Sequence, residues 1–281
     1  MKLVDSVSRM STLVKMLKKE GKSIGLVPTM GYLHEGHLSL VRAAKKHTDV
    51  VVMSIFVNPL QFGPTEDFEK YPRDLKHDEA LASGAGVDVI FSPVVADMYP
   101  QGYATHVNVE GLTSALCGSQ RPGHFKGVTT VIAKLFNIVK PTVAYFGQKD
   151  AQQAAVIRKM TQDLNMDIEI KVMPIIRERD GLAMSSRNIY LSEDERREAL
   201  VLSQSLEKAA ALVKSGEKDA KKIVKMIREL LLQKPLVKID YISVVDVKNI
   251  CELTTISGEA LIALAAFVGK TRLIDNTIVK A

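Results

Sequence analysis

The chain has no tryptophan, two cysteines and only 5% aromatic residues among its 281 positions. Cys117 and Cys251 stand far apart, with no Cys-x-x-Cys spacing and no Cys/His cluster. Neither a disulfide framework nor a zinc site is indicated, and a reducing cytoplasm is the simplest setting. Long apolar runs are also missing. The nearest approach, Ala260 to Gly269 (ALIALAAFVG), is bounded by Glu259 and Lys270. It falls well short of the roughly 18 residues that a membrane span needs and reads as a buried strand. The first ten residues, MKLVDSVSRM, carry Asp and Arg where a secretory signal needs an apolar stretch, so neither export nor membrane attachment is expected. The excess of basic over acidic residues is only +6, which is thin for a nucleic-acid binder. Without tryptophan or basic-aromatic alternation to stack bases, an RNA-binding module is the weaker class of reading. With 46% hydrophobic and 25% charged residues, the composition is that of a globular chain with one large core or two smaller ones.

Ser23 to Thr29 (SIGLVPT) and Val50 to Val57 (VVVMSIFV) are short apolar runs suited to strands buried on both faces. Between them Leu38, Val41 and Ala44, three apart, put one apolar face on a helix. This is a β-α-β unit, and such a crossover implies a parallel sheet. The alternation continues with a helix over 74–81 before Val87 to Phe91, a helix over 127–139 before Val143 to Phe146, and a helix over 150–164 before a strand over 168–176. The pattern predicts an α/β fold with a Rossmann-like, doubly wound parallel sheet over residues 1–180. Beyond Arg187, charged amphipathic helices over 192–214 and 217–233 precede strand-like segments at 239–245 and 261–268. A smaller α+β domain over 187–281 is expected, packed on the first and covering the active site.

In parallel sheets ligands bind at the carboxyl ends of the strands, and the first strand ends in Pro28-Thr29-Met30-Gly31 before His34-Glu35-Gly36-His37 opens a helix. A helix N-terminus presents unsatisfied N–H groups and positive potential, a setting for phosphate. Gly36 removes a Cβ where a nucleotide would approach, and His34 and His37, three apart, face one side. Two imidazoles beside a phosphate can stabilise the charge of a transition state at phosphorus, best when protonated. A structural cap or a metal ligand pair are the alternatives; an HExxH arrangement is absent and no third ligand is nearby. The absence of GxxxxGK[ST] and GxGxxG removes the P-loop and dinucleotide readings. A second constellation, Met184-Ser185-Ser186-Arg187-Asn188, follows Asp180-Gly181. Its hydroxyls and guanidinium could wrap a triphosphate, although it could also be a plain loop before the Ser192/Glu195 capping box.

On an α/β pattern this pair resembles the signatures of the nucleotidyltransferase superfamily that includes class I aminoacyl-tRNA synthetases. Further blocks narrow the resemblance: Val27 to His37 (VPTMGYLHEGH), Phe56 to Gly63 (FVNPLQFG), Tyr71-Pro72-Arg73, Arg121 to Gly127 (RPGHFKG), Tyr145 to Gln153 (YFGQKDAQQ), Asp180 to Asn188 (DGLAMSSRN) and Arg272 to Asn276 (RLIDN). Together, from residue 3 to 279, they resemble the pantothenate synthetase family. The resemblance implies ATP-dependent joining of pantoate to β-alanine through a pantoyl-adenylate, with release of AMP and pyrophosphate, in a Mg²⁺-requiring homodimer. It also implies an ATP site at Met30, Gly31, Tyr32, Leu33, His34, Glu35, Gly36 and His37, continued by Gly147, Gln148, Lys149 and Asp150 and by Ile176, Met184, Ser185, Ser186 and Arg187. His37, His34, Lys149 and Arg187 are the implied catalytic residues and Asp150 the candidate Mg²⁺ ligand. Gln61 and Gln153 are implied to hold pantoate, Gln61 also β-alanine, and Pro28, Met30, Phe56 and Phe62 are candidates for the apolar wall. The chain departs from the wider superfamily at Ala183, where a lysine is usual; Arg187 and Lys149 are left to carry the phosphate charge. The competing enzymatic reading is a nucleotidyltransferase that stops at a nucleotide product, which no amide product would reveal.

Overall fold

The apolar runs of the first half build an all-parallel, six-stranded sheet. The computed structural model describes residues 1–64 and 66–281. Its strands are β1 (Lys2–Val4), β2 (Ile24–Thr29), β3 (Val50–Ile55), β4 (Val89–Phe91), β5 (Val143–Gly147) and β6 (Glu169–Met173), in the order β1-β4-β3-β2-β5-β6. The connecting helices are α1 (Val7–Lys19), α2 (Glu35–Lys45), α3 (Leu75–Ala85), α4 (Val95–Met98), α5 (Leu116–Gln120), α6 (His124–Val139) and α7 (Ala151–Asp163). Because side chains alternate across a strand, each central strand feeds two cores. Val27, Val51, Met53, Ile90, Val143 and Tyr145 pack with Leu40, Val41 and Ala44 of α2 and Ala82 of α3. Leu26, Val52, Phe91 and Ala144 are equally buried on the opposite face, the face of α6, which packs on β2 and against α1.

The register of β2 places the site. It pairs with β3 along all six residues, from Ile24↔Val50 to Thr29↔Ile55, but with β5 only at Gly25↔Val143 and Leu26↔Ala144. The carboxyl ends of β2 and β5 therefore part, at the point where the strand order changes direction. In an open α/β sheet that crevice is where ligands bind.

The chain forms two compact units: residues 1–110, 121–147 and 156–174 in one, residues 111–120, 148–155 and 175–281 in the other. In the second, α8 (Glu193–Ala199), α9 (Val201–Lys214) and α10 (Ala220–Leu231) accompany an antiparallel sheet β7 (Val237–Asp246), β8 (Glu259–Val268) and β9 (Thr271–Lys280). Ile223, Ile227 and Leu231, four apart on α10, pack with Leu202, Leu206 and Val213 of α9 against Ile262, Leu264 and Ala266 of β8. The other side of β8, Leu261 and Ala263, packs with Leu116 of α5 and with Ala155.

Four differences from the sequence-based expectation stand out. The helix expected over 192–214 is two, because the Leu200 N–H turns to Glu198 O and interrupts the ladder while the backbone stays helical. The strand expected over 168–176 ends at Met173. The elements β1 and α1 at the start of the chain are not signalled by pattern, and neither is β9, whose Arg272, Asp275 and Asn276 break the apolar run. Among the described residues, no helix is long and apolar enough to cross a membrane.

Candidate active site

The turn after β2 is built around a buried carboxylate. Gly31 has φ +87° and Tyr32 φ +49°, both in the left-handed region. Asp78 of α3, 1% exposed, accepts from Tyr32 N at 2.9 Å and Leu33 N at 2.7 Å. A Cβ on Gly31 would stand 2.9 Å from Asp78 Oδ2, so glycine is required there for space as well as for φ. Burial pushes the Asp78 carboxyl above the ordinary aspartate range; the two backbone N–H groups oppose it without cancelling it.

This turn delivers the histidines. His34 caps α2: its Nδ1 accepts from Gly36 N at 3.1 Å, and His37 Nδ1 accepts from His34 N at 3.4 Å, a reciprocal capping box made of imidazoles. The rings stack with centroids 4.0 Å apart. A ring nitrogen that accepts a backbone N–H carries no proton, so each imidazole in this arrangement is the neutral Nε2–H tautomer. The cap and a doubly protonated ring exclude each other, so this geometry belongs to neutral rings at a helix N-terminus. Of the other residues in the segment, Leu33 is in the core and Glu35 is exposed and paired with Arg42. Neither is placed as a buried polar contact.

Gln61 lies beside the same turn. It ends a 3-10 turn, Pro59–Gln61, and is 9% exposed, with its Nε2 3.0 Å from Met30 Sδ. Asn58 fixes the amide's orientation. It donates to Gln61 Oε1 and to Gly127 O, both at 3.1 Å, and accepts from Tyr99 Oη at 2.8 Å. With Oε1 occupied, Gln61 presents Nε2 as a donor. The Arg121–Gly127 block closes on this turn from behind. His124 Nδ1 lies 2.8 Å from Gln61 O, Arg121 pairs with Glu66, and Gly127 packs so tightly that a Cβ would sit 2.2 Å from Leu60 O. Of the apolar candidates, Phe56 is buried against Tyr99, Phe62 meets Phe68 and Tyr71 edge-on, and Pro28 is half-buried in β2.

In the second unit, Gln148–Asp150 form a 3-10 turn before α7, with Lys149 half-buried and Asp150 exposed. Gln153 is half-buried on α7, whereas its neighbour Gln152 is structural, accepting from Cys117 N and donating to Leu112 O and Ala115 O. Residues 176–184 form a hairpin: Met184 N donates to Ile176 O at 3.0 Å, Arg177 bridges Ala183, and Gly181 turns with φ +96°. Ala183 is 5% exposed and its carbonyl accepts from Asn188. Ser185 Oγ accepts from Arg187 N at 3.3 Å and caps the next turn, Ser186–Tyr190, in which Ser186 is buried and Arg187 half-buried. Arg196 clamps the hairpin through Glu178 and Asp180, and the Asp180 carboxyl is held below its ordinary range because this guanidinium and the Leu182 N–H outweigh its desolvation. No group of three or more His, Cys, Asp or Glu able to hold a metal occurs among the described residues.

Sequence reasoning finds Asn58 and Asn276 inside matching blocks without giving them a task, and it passes over Asp78. All three are buried polar residues, and burial, which no local pattern displays, is what marks them as structural.

The sequence model of the pantoate-beta-alanine ligase family matches residues 2–278. Pantothenate synthetases of Acetivibrio thermocellus and Heliobacterium modesticaldum are each 58% identical over 280 residues, covering 100% of both chains. The pantothenate synthetase structure from Thermus thermophilus superposes with a TM-score of 0.94 at 44% identity, over 99% of each chain. Pantoate-beta-alanine ligase from Francisella tularensis, complexed with beta-gamma ATP and beta-alanine, superposes with a TM-score of 0.81 at 33% identity, over 99% of this chain and 97% of that one. The chain belongs to the pantoate-beta-alanine ligase family.

Proposed function

We propose that the chain joins pantoate to β-alanine at the expense of ATP, yielding pantothenate, AMP and pyrophosphate through a pantoyl-adenylate. The observation that carries this reading is the imidazole-capped turn at the carboxyl end of β2, with the Gln61 donor at its side, in a chain of this family. The pantoate carboxylate attacks the α-phosphorus, the bond from that phosphorus to the bridging oxygen breaks, pyrophosphate leaves with the electron pair, and extra negative charge gathers on the phosphate oxygens on the way. His34 and His37 Nε2–H groups and the helix N-terminus stabilise it, and Lys149, Arg187 and the Ser185 and Ser186 hydroxyls neutralise the phosphate chain. Gln61 and Gln153 hold pantoate, Gln61 as a donor because Asn58 occupies its oxygen. In the second step the free amine of β-alanine attacks the anhydride carbonyl, the C–N bond forms, AMP leaves with the electron pair of the broken C–O bond, and the nitrogen gives up one proton to solvent.

Asp150 suits a Mg²⁺ that takes most of its ligands from phosphate oxygens: it is exposed and no cluster of further carboxylates surrounds it among the described residues. Such an ion would supply charge neutralisation on the pyrophosphate. A homodimer and a cytoplasmic setting complete the proposal and rest on the family alone; light scattering tests the first.

The deciding experiment is pantoate-dependent ATP/pyrophosphate exchange, followed by product analysis with β-alanine. Exchange that requires pantoate, then AMP and an amide in equal amounts, is expected. ADP and phosphate would overturn the adenylate, and exchange without amide would reassign the chain to a nucleotidyltransferase that stops at the nucleotide product.

A further inference from the structure

Lys149 sits in a single 3-10 turn, too short to hold itself, and the residues that hold it come from the far end of the chain. Asn276 of β9, 3% exposed, donates from Nδ2 to Gln148 O and to Lys149 O, both at 3.0 Å. Gln148 Nε2 donates back to Asn276 Oδ1 at 3.3 Å, which fixes the end of the amide that faces the two carbonyls. One side chain thus ties two consecutive peptide units and sets the path of the backbone at Lys149. The residue before it reaches a different segment, as neighbours on a strand do. Asp275, also 3% exposed, accepts from Arg177 Nη1 at 2.7 Å and Nη2 at 3.0 Å, and from Asn276 N at 2.8 Å. Arg177 in turn donates to Gly181 O at 3.1 Å and bridges Ala183, so Asp275 holds the hairpin that leads into Met184–Arg187. The anchor itself is rigid: β9 pairs with β8 without a break from Val268↔Thr271 to Glu259↔Lys280.

We propose that Asp275-Asn276 is a shared positioning step for the two charged segments of this unit, with Asn276 acting through Lys149 and Asp275, by way of Arg177, acting through Arg187. The proposal rests on the reading of Lys149 and Arg187 as ATP ligands. Neither Asp275 nor Asn276 needs to touch the nucleotide. Each fixes the backbone that carries or leads to a cationic residue before ATP arrives, so that less ordering has to be done on binding.

The test is a crossed pair of double-mutant cycles, read as the Kd of MgATP by titration calorimetry on the full chain, with thermal melts recorded alongside. N276A is expected to weaken ATP by about tenfold, the scale of a hydrogen-bond loss. In a K149A background it should weaken ATP no further, whereas in an R187A background it should keep its full effect. D275N should show the reverse pattern, silent in R187A and active in K149A. N276D, which keeps the volume but loses both donors, and R177K, which keeps the charge but loses the fork, serve if the first variants do not fold. A merely structural role would weaken ATP equally in both backgrounds and follow the melting temperature; that result overturns the proposal, as does an unchanged Kd for N276A and D275N. If K149A and R187A themselves leave the Kd unchanged, the ATP-site reading falls and the positioning role falls with it, an outcome distinct from additivity.

Discussion

The two charged regions that the sequence singles out are held in opposite ways. The His34–His37 turn is supported by its own neighbours, through bonds two and three residues away and one carboxylate, Asp78, 45 or 46 positions on. The Lys149 turn and the hairpin before Arg187 are supported by β9, through bonds spanning 128 and 98 positions. The first is a local device that a short stretch of sequence can specify. The second depends on the antiparallel sheet that carries β9, so its geometry is the easier of the two to disturb from a distance.

Substitutions can break this contrast. The largest effect is expected for His37→Ala, which removes a donor and half of the capping box together: pantoate-dependent exchange should fall by about 10²–10⁴-fold. Melting should move much less, by the value of a cap, about 1 kcal/mol. A loss of fold comparable to the loss of exchange would show that the ring serves α2 and not the reaction. Next, Gly127→Ala forces a methyl group into the Leu60 carbonyl, 2.2 Å away, and should cost about 1–3 kcal/mol of stability while raising the pantoate KM, read from melts and steady-state kinetics. Asp78→Asn leaves one of the Tyr32 and Leu33 N–H groups facing an amide donor and should cost about 1–3 kcal/mol with a fall in kcat. An Asp78→Asn variant with normal exchange would mean that the local turn needs no anchor.

The smallest effect concerns pH. Desolvation opposes ionisation of Glu66, but the hydrogen bonds and charge of Arg121, helped by the Gly63 backbone, outweigh it and hold the carboxyl below the ordinary glutamate range. A group with a lowered folded-state pKa contributes stability above its unfolded value and loses it as pH falls through the folded one. Glu66→Gln should therefore cost at most about 1 kcal/mol at neutral pH and flatten the acid limb of a melting-versus-pH curve below the ordinary glutamate range. An unchanged acid limb would remove this pair from the supports of the Gln61 turn.

What can be read from the sequence follows the same division. Short apolar runs and helices with apolar faces specify the parallel sheet, since β2 and β3 are buried on both faces and carry little else. The segment from Met30 to His37 is legible because the bonds that make its cap, between His34, Gly36 and His37, lie within it. Strand β9 escapes notice because Asp275 and Asn276, buried and polar, destroy the very alternation that marks a strand, and their reason for being there lies at Arg177 and Gln148. Asp78 is silent for a similar cause: on a helix with charged neighbours it looks like a solvated face, and only its 1% exposure distinguishes it. The start of the chain holds α1, whose buried Met10 and Val14 are spaced four apart among serines and lysines, too sparse a stripe to mark a helix by pattern.

The contact between Gln61 Nε2 and the Met30 thioether has a further meaning for ligand exchange. Sulfur is a soft, weak acceptor, so the amide is kept in place without being satisfied. On the proposal that Gln61 holds pantoate, a hydroxyl or carboxylate oxygen would displace a poor partner in exchange for a good one, and the difference would favour the ligand. Had an oxygen acceptor stood at residue 30, the same donor would be equally well aimed but already satisfied.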